Sequence, residues 1–212
     1  MELDLREGWV EEELAAEFPE LGLVHCSVEA RSGPSPREVK VRLRLLADRY
    51  TGAKVIHMRQ DAVPWAYRVF SRQVGIDPDV DRTPVESIAL ERLRHGGMRS
   101  QNLLDDALTL ATADTGVPVF ALDQDLLIGP PGLRLARPGE ILEEGRPLSA
   151  RQLVVADESR AVALVLGDVA THAGVSPETE RMMLCALRVK GVPAIAVEEA
   201  LWSVGETLLG AG

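Results

Sequence analysis

The stretch Gly97–Asp123 constrains the fold more than any other, because helix-start, helix-stop and strand signals follow one another within it. Ser100 or Asn102 can cap a helix, since their short side chains accept hydrogen bonds from the free backbone N–H groups at a helix start. Gly116 stops that helix, and Pro118 forbids its continuation. The apolar run that precedes Asp123 predicts a buried strand. The unit is therefore a capped helix, a tight corner and a strand.

Helical patterns precede this strand, and strand patterns follow it. The spacing of apolar residues predicts four earlier helices and one strand: helices at Trp9–Phe18, Arg37–Tyr50, Asp61–Val74 and Val85–Arg94, and a strand at Leu21–Ala30. Later apolar runs alternate with turn signals and predict strands at 126–129, 133–136, 141–142, 153–157, 161–166 and 182–189. A last helix is predicted over 194–209. This order indicates an α+β fold, with helices covering a sheet or sandwich, and one domain over residues 1–212.

Composition excludes several classes of protein. Aromatic residues make up only 4% of the 212 residues, which disfavours a surface that stacks single-stranded bases. No apolar run approaches the roughly 20 residues of a membrane span. The acidic N-terminus lacks the apolar core of a signal peptide. We therefore expect a cytoplasmic protein with no membrane partner.

Metal and cofactor motifs are missing from the sequence. Cys26 and Cys185 are the only cysteines, too few for a disulfide scaffold or a zinc site, and both are predicted to be buried thiols. The four histidines have no metal-ligand spacing. There is no phosphate-cradling loop and no dinucleotide-binding fingerprint. No metal and no cofactor are predicted.

Charge is unevenly distributed along the chain. The net charge of −10 argues against tight nucleic-acid binding, which needs clustered basic side chains. Residues 31–60 nevertheless carry eight bases and only two acids. This segment is either a solvated helix face with its own ion pairs or a docking surface for phosphate or an acidic partner.

Five short motifs in the second half of the chain are collinear with those of a known domain. They are Arg99–Asp106, Thr115–Asp123, Leu133–Glu140, Leu153–Asp157 and Pro177–Thr179. In this order and spacing they resemble the B3/B4 domain of the bacterial phenylalanyl-tRNA synthetase β subunit. The resemblance covers about residues 55–190. Two regions lie outside the resemblance: an N-terminal extension with helices and a strand at 1–54, and the helix at 194–209.

The resemblance implies an α+β fold with mixed β-sheets in a sandwich-like core. In the full synthetase this domain holds an editing site that hydrolyses tyrosine wrongly attached to tRNA. A synthetase catalytic domain is missing from this sequence, so the chain is not expected to aminoacylate tRNA alone. The resemblance therefore implies a free-standing factor that binds or edits aminoacyl-tRNA.

The positions that would form the family's pocket depart from the family pattern. The pocket histidine falls on Phe120, a Gly-Gly pair falls on Val169-Ala170, and a glutamate falls on Cys185, while Pro118 and Ala121 are kept. A pocket without the histidine and the glutamate would not recognise a tyrosine hydroxyl in the same way, since an unpaired buried polar group is costly.

Few residues are candidates for catalysis. His172 and Asp168 lie near the expected pocket, and a histidine can titrate near neutral pH. Asn102, Asp106 and Asp123 are interpreted as structural, as a helix cap, a hydrogen-bonded acid and a turn acceptor. A positioned water and oxyanion donors can suffice for ester hydrolysis, so the lack of a catalytic triad does not exclude it.

Two functions follow from these observations. In the first, the protein binds tRNA or aminoacyl-tRNA, with hydrolysis of mischarged tRNA as its candidate reaction. Its candidate RNA contacts are Arg68, Arg72, Arg92, Arg94 and Arg99, which should then lie on one face. In the second, the protein is not a catalyst and binds an amino-acid-like small molecule or a protein partner.

Overall fold

A computed structural model describes residues 3–143 and 146–210 of the chain. The described helices are α1 (Glu12–Glu17), α2 (Arg37–Arg49), α3 (Gly52–His57), α4 (Ala62–Gln73), α5 (Pro84–His95), α6 (Leu103–Thr115) and α7 (Ala194–Leu209). The described strands are β1 (Arg6–Glu7), β2 (Trp9–Val10), β3 (Gly22–Glu29), β4 (Val119–Asp123), β5 (Gly132–Leu135), β6 (Ile141–Glu143), β7 (Arg146–Pro147), β8 (Leu153–Ala156), β9 (Ala161–Leu164) and β10 (Arg181–Arg188). The predicted α+β class is confirmed.

The first sheet is antiparallel, in the order β1-β3-β10-β4. Its central strand β10 pairs with β3 over eight positions and with β4 over five. Leu184 and Cys185 are neighbours on β10 and so point to opposite faces. Both are fully buried, so this sheet is covered on both sides.

The second sheet has the order β2-β5-β8-β9, with β2 parallel to β5 and the other pairs antiparallel. Trp9 lies so close to Gly132 on β5 that a Cβ at residue 132 would sit 2.1 Å from its ring. The Trp9 indole N–H donates a 2.9 Å hydrogen bond to the Pro130 carbonyl. Only glycine therefore fits opposite Trp9. A ribbon of β6 and β7 stands beside this sheet.

The unit that ends in Asp123 has the predicted form. The Asn102 side chain accepts a hydrogen bond from the Asp105 N–H and caps α6, and Gly116 ends the helix with φ of +76°. A side chain at Gly116 would also press on Pro64 of α4, 3.1 Å away. Strand β4 follows at once. The sequence also located α2, α4, α5 and α7 to within two residues of their bounds.

Two local predictions were wrong, and one helix was missed. Trp9–Phe18 is not one helix, because Trp9 and Val10 pair with β5 and the helix begins only at Glu12. Residues 126–129 do not form a strand, since Asp123 accepts a hydrogen bond from the Asp125 N–H and turns the chain into a short 3-10 helix. Helix α3, capped by Thr51, was not predicted. In the described part of the chain, no helix is long and apolar enough to cross a membrane.

Candidate functional site

A cleft of about 510 Å³ lies between helix α5 and the loop that leaves strand β9. Apolar side chains form part of its lining: Val74, Ile76, Val80, Leu90, Leu153, Leu164, Val165 and Leu166. Charged side chains stand among its lining residues: Asp81, Arg82, Glu91, Arg94 and Asp168. A cavity of this size and mixed lining is typical of small-molecule sites, which span about 300–1,000 Å³.

Helix α5 is held in place by a buried polar cluster at its start. Thr83 and Glu86 form a capping box, in which Glu86 Oε2 accepts hydrogen bonds from the Thr83 N–H and hydroxyl. The other oxygen of Glu86 accepts a 2.8 Å hydrogen bond from Arg68 on α4. Both side chains of that pair are almost fully buried. The helix start, and with it Arg82, is therefore fixed relative to α4.

The opposite wall is a tight turn after β9. Leu166 has φ of +58°, a left-handed conformation that is unusual for a residue other than glycine. The turn is closed by hydrogen bonds from the Gly167 N–H to the Leu164 carbonyl and from the Leu164 N–H to the Asp168 carbonyl. It places Leu166 and Asp168 in the cleft lining. Backbone strain of this kind is enriched at functional sites.

The arginines of the cleft differ in their pairing. Arg94 bonds to Glu91 one helical turn earlier, and this hydrogen bond lowers the pKa of the Glu91 carboxyl below its usual value. Both side chains are more than half exposed, so the pair is weak and open to exchange with a ligand. Arg82 is exposed and has no ion-pair partner among the described residues.

Three of the predicted RNA contacts, Arg68, Arg72 and Arg94, are paired with carboxylates. Arg68 is wrong as a contact, because it is buried and bonds to Glu86 and Asp79. Burial alone would lower the pKa of Arg68, but its hydrogen bond to Asp79 and the nearby charges raise it. Arg72 also faces Asp79, and Arg92 donates to the Ala47 carbonyl on α2. These ion pairs reduce the charge that the predicted contacts offer to RNA.

The two catalytic candidates lie in different clefts. Asp168 lines the α5 cleft, together with Arg94. His172 lines a separate one beside the Arg137–Glu143 segment, and its Nε2 lies 3.1 Å from the Ala161 carbonyl oxygen. This arrangement therefore does not support a reaction step in which Asp168 and His172 act on the same substrate.

Phe120 belongs to a row of side chains that crosses the first sheet. Phe120 lies directly opposite Cys185 on β10, and Cys185 lies opposite His25 on β3, so the three side chains form one row across the sheet. Cys185 is fully buried and Phe120 is half-buried. Burial, with the nearby Cys26, raises the pKa of the Cys185 thiol, which is therefore protonated at neutral pH.

The other proposed pocket residues are also packed away. Pro118, Ala121 and Ala170 are buried, and Val169 packs against the main core. Five clefts lie in the described part of the chain. None of these five is lined by Pro118, Phe120, Ala121, Val169, Ala170 or Cys185. Within that same part, no group of three or more His, Cys, Asp or Glu side chains is placed to hold a metal ion.

The family model of the B3/4 domain matches residues 66–196, more than half of the chain. The chain belongs to the B3/4 domain family. This confirms the resemblance predicted from motif order, with bounds somewhat later than the expected 55–190. The match takes in most of α4, all of α5 and the turn at Leu166, so the whole α5 cleft lies in the B3/4 domain.

Curated relatives are β subunits of phenylalanine–tRNA ligase. The chain is 38% identical over 109 residues to that of Xanthomonas euvesicatoria pv. vesicatoria, a match that covers 50% of this chain and 13% of the subunit. It is 36% identical over 101 residues to that of Photorhabdus laumondii subsp. laumondii, which covers 45% of this chain and 13% of the subunit. A third, from Xanthomonas campestris pv. campestris, is 40% identical over 94 residues, covering 42% and 12%. The matched segment is thus a small part of each relative.

The acids in the B3/4 motifs stabilise turns. Asp123 accepts hydrogen bonds from the Asp125 N–H and, at 2.5 Å, from the Thr179 hydroxyl, which joins two motifs. Burial would raise the pKa of Asp157, but hydrogen bonds from the backbone N–H groups of Ile128, Ser159 and Arg160 lower it. The carboxylates of Asp123 and Asp157 thus accept hydrogen bonds from groups within the B3/4 domain, in keeping with a structural role.

Sequence reasoning missed most of the cleft. Arg82 directly precedes the Thr83 capping box, so its place beside the start of α5 could have been inferred. Gln152 and Leu166 carry no motif, and only the packing of β8 and β9 beside α5 brings them to the site.

Proposed function

We propose that this B3/4 domain protein binds RNA, namely tRNA in its aminoacylated form, and that the α5 cleft receives the aminoacyl end. The observation that carries the proposal is the lining of that cleft, where apolar side chains meet side chains of both charges. An aminoacyl-tRNA end offers an apolar side chain, an α-ammonium group and phosphates within a short distance, and the lining offers a complement to each.

The arginines supply the phosphate contacts in this proposal. A guanidinium group presents a planar fork of N–H donors that matches phosphate, and it stays charged at every accessible pH. Arg82 and Arg94 both line the cleft. The carboxylate of Asp81 lies in the same lining and attracts an ammonium group. The names of the relatives support tRNA as the partner, because those ligases act on phenylalanine and tRNA.

Binding without hydrolysis is the form of this function that the site favours. The positions that carry a histidine and a glutamate in the family pattern are Phe120 and Cys185 here, and both side chains pack in the sheet. The histidine and the glutamate of the family pattern, its candidate acid–base groups, are therefore missing from those two positions.

A second candidate is the binding of a free amino-acid-like molecule without RNA. The net charge of −10 favours it, because a polyanion is repelled by most of this surface. The ion pairs of Arg72 and Arg94 favour it too, since they reduce the charge available to phosphate. In this case the α5 cleft would bind phenylalanine or tyrosine alone.

One set of measurements separates the candidates. Binding is measured for phenylalanine tRNA uncharged, charged with phenylalanine and charged with tyrosine, and for the two free amino acids, at 50 and 200 mM salt. We expect charged tRNA to bind more tightly than uncharged tRNA. Weaker binding at the higher salt is expected as well, because phosphate contacts release counterions. A deacylation assay on the same samples should give the rate of the uncatalysed reaction.

The cleft is tested by R82Q/R94Q. This double variant should raise the Kd for charged tRNA about tenfold or more and lower the salt slope by about two units, one for each lost phosphate contact. The control is R6Q/R181Q, which changes the net charge equally at two exposed arginines outside the cleft. Equal effects of the two variants would overturn the assignment of the site. Binding of free amino acids with no tRNA binding would establish the second candidate.

A further inference from the structure

Helix α2 presents a basic face to solvent. Arg37, Lys40 and Arg44 follow one another at intervals of three and four residues, so they lie along one side of the helix. All three are exposed. Between them the helix also exposes Val41 and Leu45, with 41% and 62% of their surface accessible. The opposite side of α2 is buried in the core.

The charges on this face are available to a partner. Among the described residues, Arg37, Lys40 and Arg44 have no carboxylate within ion-pair distance, although α2 itself carries Glu38 and Asp48. Several other exposed bases are paired: Arg6, Arg31, Arg49, Lys54 and Arg181. The basic segment at 31–60 is therefore not merely a set of internal ion pairs. Its free charge is concentrated on one helix face of a chain whose net charge is −10.

The last turn of α2 contacts helix α5, which lines the cleft. Arg92 of α5 donates a 2.8 Å hydrogen bond from its Nε to the carbonyl of Ala47 in the last turn of α2. Leu90, Glu91 and Arg94 of the same α5 turn line the cleft. Helix α5 therefore contacts α2 and also lines the cleft.

Another base that has no ion-pair partner in the part of the chain the structure describes lies near the other end of α2. Arg99 is exposed and adjoins Ser100, whose hydroxyl binds the Asp106 carboxylate that also binds Ser35. Ser35 is two residues before the start of α2. The free bases thus extend from Arg99 along the helix to Arg44.

We propose that the exposed face of α2, with Arg37, Lys40 and Arg44, is a docking surface for the phosphate backbone of the tRNA whose aminoacyl end binds in the α5 cleft. The proposal rests on the proposed function. Seven residues of helix span about 10 Å, and one strand of a duplex presents about three phosphates over that length. The face lies outside the B3/4 match at 66–196.

The test compares two triple variants that change the net charge equally. The first, R37Q/K40Q/R44Q, removes the three bases of α2. The second, R6Q/R181Q/K190Q, removes three exposed bases on other elements. Far-ultraviolet circular dichroism and thermal melting confirm that each is folded. The Kd for phenylalanine tRNA, charged and uncharged, is then measured from 50 to 200 mM salt.

The α2 variant should bind both forms of the tRNA at least tenfold more weakly at 50 mM salt, with a salt slope lower by about two to three units. The preference for charged over uncharged tRNA should stay unchanged, because the cleft is intact. The control variant should keep at least most of the affinity of the original protein.

Three outcomes would overturn the proposal, and they are distinguishable. If the original protein binds tRNA and both triple variants lose affinity equally, the contact is a general charge effect and α2 is not the surface. If the original protein binds no tRNA, the proposed function itself fails. If polyglutamate binds the original protein, loses affinity only in the α2 variant, and tRNA does not bind, the face serves an acidic protein instead.

Discussion

Ser35 donates a 2.5 Å hydrogen bond to the carboxylate of Asp106, a residue 71 positions further along the chain. Ser35 lies in the loop before α2, outside the B3/4 match, whereas Asp106 lies in α6, inside it. The same carboxylate accepts hydrogen bonds from the Ser100 hydroxyl and the Gln101 N–H. One buried acid therefore joins the N-terminal segment to helix α6 of the B3/4 domain.

Replacing Asp106 by Asn should destabilise the protein by about 3 kcal/mol, because an amide cannot accept all the hydrogen bonds of a buried carboxylate and leaves donors unpaired. The measurement is urea unfolding followed by circular dichroism. Asp105→Asn is the matched control, since Asp105 is only partly buried and bonds to Asn102. It should cost less than about 1 kcal/mol. Equal losses in the two variants would show that the Asp106 cluster adds no particular stability.

Local signals explain which elements were predictable. Helix α5 was found because its cap lies entirely within four consecutive residues from Thr83 to Glu86. Helix α7 matched its predicted bounds of 194–209, because its apolar stripe is long and follows Pro193. Trp9 and Val10 were misassigned, since their partner in β5 is more than a hundred residues away. Helical spacing in that stretch was overruled by a tertiary contact.

The site was less predictable than the fold for the same reason. Arg68 has the sequence context of a surface arginine, and only the folded chain places Glu86 and Asp79 against it. The place of Phe120 in the family pattern indicated an altered pocket, but not that Cys185 and His25 pack beside it in one row. The α5 cleft depends on where β8 and β9 dock, which no local pattern in the sequence encodes.

Acid should weaken the fold through Glu140. Hydrogen bonds from Arg134, reinforced by the Arg137 and Ala161 N–H groups, lower the pKa of Glu140 from 4.5 to about 2. A lowered pKa stabilises the folded state above pH 4.5, and this contribution is lost as the pH falls toward 2. Because the side chain is only 11% exposed, the loss should approach about 3 kcal/mol.

The check on Glu140 is the free energy of unfolding at pH 7, 4.5 and 3 for the original protein and for Glu140→Gln. The variant should be less stable at pH 7 and should show a smaller change on acidification. Glu178→Gln serves as the control, because Glu178 is exposed and should leave the pH dependence as it is. A pH profile of Glu140→Gln parallel to that of the original protein would refute the role of this ion pair.

Restoring the family's glutamate at Cys185 should not restore a pocket. Cys185 is fully buried between His25 and Phe120 on its two neighbouring strands. A carboxylate there would lose its hydration without a guaranteed partner, so Cys185→Glu should destabilise the protein by more than about 4 kcal/mol or prevent folding. Cys185→Ala, which adds no polar group, should cost about 1 kcal/mol.

Both cysteine variants are compared by urea unfolding and by soluble yield. If Cys185→Glu were nearly as stable as the original protein, this position would have to be accessible to water and have room for the larger side chain. An open pocket beside Phe120 would then have to replace the packed sheet described here.

Removing residues 1–54 should abolish folding, which tests the prediction that residues 1–212 form one domain. This segment contains β3, which pairs with β10 at eight positions and lies between β1 and β10 in the first sheet. It also contains α2, whose Val39, Leu43 and Leu46 are buried in the main core. Without it, β10 becomes an exposed edge strand with an uncovered apolar surface, a combination that favours aggregation.

A fragment that begins at Val55 is expressed beside the full chain. Both are examined by soluble yield, size-exclusion chromatography and thermal melting. We expect an insoluble or non-cooperative fragment, and a cooperative transition for the full chain. A soluble fragment that melts cooperatively would show that the B3/4 region folds without the N-terminal segment. In that case the contacts from Ser35 to Asp106 and from β3 to β10 would join two units, and α2 would be part of a separate module.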